Sequence, residues 1–413
     1  MNWSRRESLL SMERAIESGG ASGDFFIRRP TLFVCIMATL FFELPGSGDF
    51  AACEEIVSGA EFVSQADAIA STRASLEREL EANGGWASWI AATREFRQDL
   101  WKYESEDATG AYTRGGKNIW IRWVSVDGRA AALKLTQESP PDIERSSTVV
   151  ESITRFEKYL KSHDTDLIFV PIPDRLDIYP ELYSEKSAEG VYPDPYVRAI
   201  VLDLLDADIE VLDVFDLIRD AKDGAGDEIV YYRYDDHPRS AVQSLVAREI
   251  ADRLMRYSSV RDGISERAAF QQREVAGPNI FEYKIAKDDP LAYAPCPECG
   301  YTQILDGEGR LLSRVDSGPA IIAGDSFVSM PLYGVDQKWT IGLNLHSHIM
   351  GAIRMKTARI VQLGGGPKVP RMIGTSRYAA LGERDVVVWI MNARFLGRAF
   401  DERWREGLWP PVD

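Results

Sequence analysis

The 413-residue chain is 45% hydrophobic and 27% charged, which excludes a disordered or low-complexity protein and allows one large domain or two modest ones. Its formal charge of −16, with no Lys/Arg block longer than a pair or so, excludes a nucleic-acid binder, because neutralising phosphates takes a basic surface. No internal repeat is visible.

Near the start, Arg28-Arg29 precede an apolar run over 31–42, and Gly46-Ser47-Gly48 follow it. A spanning helix needs about 20 apolar residues, so this shorter run fits a secretory signal better. Ala51-Ala52-Cys53 resembles a lipoprotein cleavage site, but Asp49 and Phe50 are poor neighbours for one. An uncleaved anchor, or an apolar segment of a cytoplasmic protein, are the alternatives. Residues 1–53 are therefore assigned to a signal or anchor, and export is expected.

Residues 54–112 read as a helical segment, with helices over 64–82 and 86–103 divided by Asn83-Gly84-Gly85. Trp86, Trp89 and Trp101 are expected to pack these against the body. Residues 115–124 and 130–135 read as a hairpin at the entrance of the main domain, 113–400.

From about residue 147 the pattern alternates between helix and strand. Strands are expected over 167–172, 210–214, 229–234, 320–323, 358–363 and 385–391. Helices are expected over 148–162, 195–206 and 241–257, around 337–350 and around 370–380. Val386-Val387-Val388-Trp389-Ile390 is apolar without alternation, as in a strand covered on both faces. This predicts an α/β fold, a mostly parallel sheet between helices in three α/β/α layers. Residues 258–314 break the pattern as a Pro/Gly/charge-rich insertion, expected to be a lid or surface excursion, and 401–413 form a tail.

In such sheets the site lies outside the carboxyl ends of the strands. That rule selects Asp174 and Arg175 after the first strand, Asp235-Asp236-His237 after the third, Asp325-Ser326 after the fourth and Gly364-Gly365-Gly366 after the fifth. Ala320-Ile321-Ile322-Ala323-Gly324-Asp325-Ser326 runs from a buried strand through a tight turn to a helix start. The turn lifts a hydroxyl clear of the sheet, making Ser326 the candidate nucleophile; a plain helix N-cap is the alternative.

In an extended segment residues two apart point the same way, so Asp235 can hold one nitrogen of His237 while the other faces outward. Pro238 suits the first turn of a following helix. A serine needs a base and the base an orienting acid, so Ser326, His237 and Asp235 form a candidate triad. The alternative is that His237 caps its helix with Asp235 in solvent. Side-chain-free backbone at Gly365 or Gly366, with the Ser326 amide, can present N–H groups to a developing oxyanion. Asn344 could contribute a side-chain donor, but it is expected at an exposed helix position.

Cys296-Pro297-Glu298-Cys299-Gly300 looks like half of a zinc ribbon, but no second C-x-x-C completes it, and His346 and His348 would have to supply the other ligands. A local disulfide in an oxidising compartment is the expectation.

The chain resembles the SGNH-hydrolase-like alginate O-acetyltransferases of the bacterial periplasm, the AlgX/AlgJ type. The resemblance covers about 115–396 and rests on Val170-Pro171-Ile172-Pro173-Asp174-Arg175, Ile178-Tyr179-Pro180-Glu181, Asp235-Asp236-His237, Gly324-Asp325-Ser326-Phe327, Gly365-Gly366-Pro367, and Val388-Trp389 with Arg394-Phe395-Leu396. Their order matters: Asp-x-His comes before the serine, the reverse of ordinary SGNH esterases. The resemblance implies an exported O-acetyltransferase working through a serine acyl-enzyme, with Ser326 as nucleophile, His237 as base and Asp235 as orienter. Asp174, Arg175 and Tyr179 are assigned to substrate binding, Arg175 standing where the family usually has lysine. Pro238 replaces the family's usual Trp after the histidine, and Ile390 the acidic residue expected after Trp389. The implied partners are a polysaccharide acceptor and a membrane-bound O-acyltransferase that delivers acetyl; no metal or other cofactor is expected. A carbohydrate esterase with the same triad and a non-catalytic polysaccharide-binding or assembly subunit are the competing readings.

Overall fold

Parallel strands whose residues are almost all apolar make the centre of the molecule. The computed structural model describes residues 62–100, 111–114, 117–120, 147–182, 195–225, 230–232, 237–263, 270–278, 295–310, 312, 317–329, 343–376, 381–396 and 401–410. The helical segment holds α1 (Gln65–Ala82) and α2 (Gly85–Leu100), with the Ser64 hydroxyl accepting from Asp67 N at 3.1 Å to cap α1. Strands β1 (Ala111–Arg114) and β2 (Lys117–Trp120) form an antiparallel hairpin. The hairpin expected from 115–124 and 130–135 thus differs in its arms: 117–120 pair with 111–114, and residues 130–135 lie outside the described residues.

The alternating part runs α3 (Ser147–Lys161), β3 (Asp166–Ile172), α4 (Pro195–Asp206), β4 (Glu210–Val211), α5 (Phe215–Gly224), α6 (Ser240–Leu254), β5 (Gln271–Pro278), β6 (Pro295–Leu305), β7 (Ala320–Gly324), α7 (Ser326–Ser329), α8 (Leu345–Ile353), β8 (Ala358–Val361), α9 (Val369–Thr375), β9 (Val386–Asn392) and α10 (Asp401–Gly407). The main sheet has the order β4-β3-β9-β7-β8 with every pairing parallel. All residues of β7 and β9 are buried, and only Asp166 of β3 is partly exposed. Each fully buried Val or Ile of β9 contributes roughly 2 kcal/mol from removal of apolar surface. The last strand in sequence is thus the middle strand in space. From β3 the sheet grows outward to β4, and from β7 outward to β8, so the carboxyl ends of β3, β9 and β7 flank a switch point.

Trp389 on β9 ties this sheet to its surroundings. Its ring meets Phe156 and Phe169 edge-on at 5.7 and 5.3 Å and tilts against Trp404 of α10 at 5.6 Å. The terminal residues expected as a tail therefore hold a helix packed on the core, with Trp404 fully buried and its Nε1 donating to Phe395 O at 2.7 Å. Arg198 of α4, itself buried, donates to Glu79 of α1 at 2.8 Å and to Asp213 at 2.7 Å, a charge-paired clamp that holds α1 on the body.

Three expectations are corrected. Of the strand expected over 229–234, the described residues 230–232 join no sheet: they make a single antiparallel bridge, Tyr231 to Pro238, and Pro238 cannot donate to extend a ladder. The strand over 210–214 ends at Val211, because Asp213 Oδ1 accepts from Phe215 N at 3.1 Å and starts α5, a helix that strand propensity hid. The 258–314 insertion carries the antiparallel pair β5–β6 rather than irregular chain. Among the described residues no helix is long and apolar enough to cross a membrane; the apolar run over 31–42 lies outside them.

Candidate active site

The chain leaves β7 at Gly324, turns at Asp325 and enters α7 at Ser326. A Cβ on Gly324 would stand 2.0 Å from Ile390 O and 2.6 Å from Val328 Cγ2, so only glycine lets the turn pass this close to β9. Asp325 is fully buried and caps the helix: Oδ1 accepts from Phe327 N at 2.9 Å, and Oδ2 accepts from Asn392 N, at the end of β9, at 3.1 Å. Capping thus falls to Asp325, and the Ser326 hydroxyl is not needed for it. Ser326 is half-buried between two buried neighbours. Burial pushes the Asp325 carboxyl above the usual carboxylate range, opposed by the two amides and by the charges of His237 and Arg394.

His237 arrives by a different route. Its ring is nearly buried and lies against the Phe327 ring, centroids 4.5 Å apart, which places it beside the residue that follows Ser326. Its own C=O accepts from Tyr232 N at 3.0 Å, and Arg239 N donates to Val230 O at 2.9 Å, so 230–232 and 237–239 are clasped together. Tyr231 Oη donates to Pro173 O at 2.7 Å, Gln243 Nε2 to Pro238 O at 2.9 Å, and Arg175 Nη1 to Tyr232 O at 3.3 Å. The Tyr232 ring stacks on Tyr301 of β6 at 5.5 Å. Asp235 lies outside the described residues.

The glycine turn follows β8. Gln362 N donates to Gly324 O at 3.1 Å and Gly365 N to Gln362 O at 2.8 Å, with Gly364 at φ +63°. A Cβ on Gly366 would stand 3.1 Å from Asp325 Oδ2 and from Met391 Cβ, while Trp389 Nε1 donates to Gly366 O at 3.1 Å. Gly366 is therefore pressed against the residue before Ser326, and the Gly365 N–H closes the turn.

Asp174, Arg175 and Tyr179 are all buried. Asp174 Oδ2 lies 3.6 Å from Arg394 Nη1 and accepts a long hydrogen bond, 3.5 Å, from Asn392 Nδ2, and its amide donates to Asp177 Oδ2 at 2.9 Å. Tyr179 Oη accepts from Val230 N at 2.8 Å under the Lys222 ammonium, and burial pushes its hydroxyl pKa up. Asn344 is a correction: rather than exposed it is buried, and its Oδ1 caps α8 by accepting from Ser347 N at 3.0 Å. Sequence reading missed Asn392 as a site residue, although it ends the central strand. Applying the strand-end rule to β9 as well would have selected both Asn392 and Arg394.

Among the described residues no three His, Cys, Asp or Glu side chains gather as a metal site. His346 Nε2 lies 3.0 Å from Thr357 Oγ1, and His348 Nδ1 lies 3.0 Å from Ser244 Oγ, both inside the helix packing.

The family described as SGNH hydrolase-like domain, acetyltransferase AlgX, matches residues 132–340, half of the chain. The chain belongs to this acetyltransferase family. The match spans Asp174, Asp235, His237 and Ser326, and the glycine turn and β9 lie beyond it. Among solved structures, the O-acetyltransferase domain of Pseudomonas putida AlgJ is similar at 18% identity and TM-score 0.45, covering 62% of this chain and 84% of that one. Pseudomonas aeruginosa AlgX is similar at 16% and 0.40, with 62% and 60% covered, and Bacillus cereus PatB1 at 12% and 0.35, with 63% and 93% covered. Curated protein sequences give no match.

Proposed function

We propose that this member of the AlgX acetyltransferase family is an exported O-acetyltransferase that moves acetyl onto hydroxyls of a polysaccharide through a Ser326 acyl-enzyme. The observation that carries the reading is the placement of His237 against Phe327, next to a serine whose capping duty Asp325 has taken over. In the first half-reaction His237 takes the Ser326 proton as Oγ bonds to the acetyl carbonyl carbon, then returns a proton to the departing donor group. In the second, His237 takes the proton of a sugar hydroxyl, whose oxygen attacks the acyl-enzyme and displaces Ser326 Oγ, which regains its proton. Asp235 orients the imidazole.

The Ser326 amide, at the head of α7, and the Gly366 amide are the proposed oxyanion donors. Gly365 supports the second donor, since its own N–H closes the turn on Gln362. Asp174 and Arg175 form the wall behind the reacting groups, and Tyr179 supports that wall from Val230. The acetyl group is delivered by a membrane-bound O-acyltransferase.

Intact-mass analysis of the full chain with an activated acetyl ester tests this, with and without an oligosaccharide. The expected result is an acetyl adduct in wild type that passes to sugar faster than to water, absent in Ser326→Ala and strongly slowed in His237→Ala. Transfer to water alone would make the protein an esterase. A folded wild type that takes no acetyl would point to a non-catalytic polysaccharide-binding subunit.

A further inference from the structure

The Cys296-Pro297-Glu298-Cys299 motif is not used by the chemistry above, yet the fold joins it to the segment that carries His237. Strands β5 and β6 pair in step from Gln271 with Leu305 to Ala276 with Gly300; the next partner, that of Gly277, is Cys296. Pro297, Glu298 and Cys299 are therefore looped out between two consecutive rungs. Consecutive Cα atoms on β5 are about 3.8 Å apart, so Cys296 and Gly300 stand side by side, and Cys299 is the last residue before Gly300. A disulfide bridges Cα separations of roughly 4.4–6.8 Å, the scale of the mouth of such a loop.

One residue past the rung that closes the loop, Ala276 with Gly300, comes Tyr301, almost fully buried and stacked on Tyr232. Tyr232 is the residue whose N–H holds the His237 carbonyl and whose C=O receives Arg175. The register of β6 thus sets the wall behind His237. Two thiolates would also make half of a tetrahedral zinc set. The histidines that sequence offered for the other half each bond a neighbour through one ring nitrogen, His346 to Thr357 and His348 to Ser244, inside the helix packing.

We infer that Cys296 and Cys299 form a disulfide that closes the β6 loop and fixes the Tyr301–Tyr232 wall behind His237. In forming it the two thiols give up two protons and two electrons as the S–S bond is made, and the disulfide of an exported thiol oxidant is reduced to a dithiol. The inference rests on the export proposed above, but its readouts do not depend on acetyl transfer.

The test uses the full chain recovered after export, blocked with a thiol-alkylating reagent without reductant and mapped as peptides. The expected product is one peptide with Cys296 and Cys299 unalkylated and two hydrogens lighter than the dithiol. Free alkylatable thiols, a bridge from either cysteine to Cys53, or zinc in metal analysis would each overturn the disulfide. Hydrogen exchange then reads the coupling. Reduction, or Cys296→Ser with Cys299→Ser, is expected to speed exchange of the Tyr232 and Arg239 amides about tenfold while amides of β9 stay unchanged. Unchanged exchange at Tyr232 and Arg239, with the bridge shown to be broken, would overturn its role in the wall.

Discussion

The turn over 324–327 and the segment over 230–239 bring their reactive side chains to the same region by opposite means. The first is an ordinary strand-to-helix passage: a fully buried strand, a glycine where a Cβ cannot fit, and a carboxylate cap, all close in sequence. The second has, among its described residues, one bridge and no ladder, and is held by contacts from far along the chain, Pro173, Tyr179, Arg175 and Tyr301, with Gln243 of the helix that follows. A nucleophile can be fixed by local backbone rules, whereas the base is fixed by tertiary side-chain contacts. The first arrangement is rigid and intolerant of added volume; the second can be loosened one contact at a time.

The largest expected effect falls on α8, which packs on α6 behind the base and on α7 beside the nucleophile. Burial, and for His346 also the Arg359 charge, lowers the His346 pKa from the usual 6.5 to about 3; burial lowers that of His348 to about 4. Because the folded values lie below the unfolded ones, the stability from these neutral rings is complete above pH 6.5 and declines as pH falls toward the folded values. By pH 5 the pair accounts for a loss of up to about 4 kcal/mol, from roughly 1.4 kcal/mol per pK unit per group. Denaturant unfolding from pH 7.5 to 5 should show this decline, and His348→Gln should flatten it by about half. An unchanged slope in that variant would remove His348 from the account.

Within the rigid turn, Gly324→Ala forces a methyl into the Ile390 carbonyl and is expected to cost about 3 kcal/mol by urea unfolding, with β9 displaced. Within the base segment, Tyr231→Phe removes one donor to Pro173 and is expected to cost only about 1.5 kcal/mol. The sharper difference should be kinetic. Once the acetyl-transfer assay is in hand, Tyr231→Phe should lower kcat several-fold with KM for the acceptor nearly unchanged, because His237 loses its fixed seat and no acceptor contact is removed. A fall in stability with kcat intact would show that the base segment holds its place without Tyr231.

The same division decides what was legible in the sequence. Apolar runs without alternation placed β3, β7 and β9 to within a residue or so and implied a sheet covered on both faces. The positions that the strand-end rule selected after β7 and β8 are where the structure has them: Asp325 and Ser326 directly follow β7, and the glycine turn begins three residues after Val361. The expected strand failed at 230–232, where β-prone Val230-Tyr231-Tyr232 suggested one, although His237 after it still comes beside Phe327. There the tyrosines are used instead for a hydroxyl bond to Pro173 and a ring stack on Tyr301. No local pattern encodes a contact between Tyr232 and Tyr301, or between Asp174 and Arg394, since each depends on how the strands are ordered in space. That β9 is central was equally hidden, because sequence order gives no hint that the last strand inserts between β3 and β7.

The smallest expected effect tests whether the glycine turn belongs with the rigid region. Gly364 is exposed at φ +63°, and a Cβ there would meet nothing within 4 Å, so its substitution acts through backbone strain alone. Gly364→Ala is expected to cost about 1 kcal/mol, and Gly364→Asn less, because Asn tolerates the left-handed region. Gly366 is held separately by Trp389, Met391 and Asp325. Strain at the tip should therefore not reach it, and kcat in both variants should stay within about twofold of wild type. A tenfold loss in Gly364→Asn at nearly native stability would mean that the turn, rather than the core beneath it, sets the position of the Gly366 amide. The glycine turn would then belong with the adjustable base segment, leaving the strand-to-helix turn at Ser326 as the rigid part of the site.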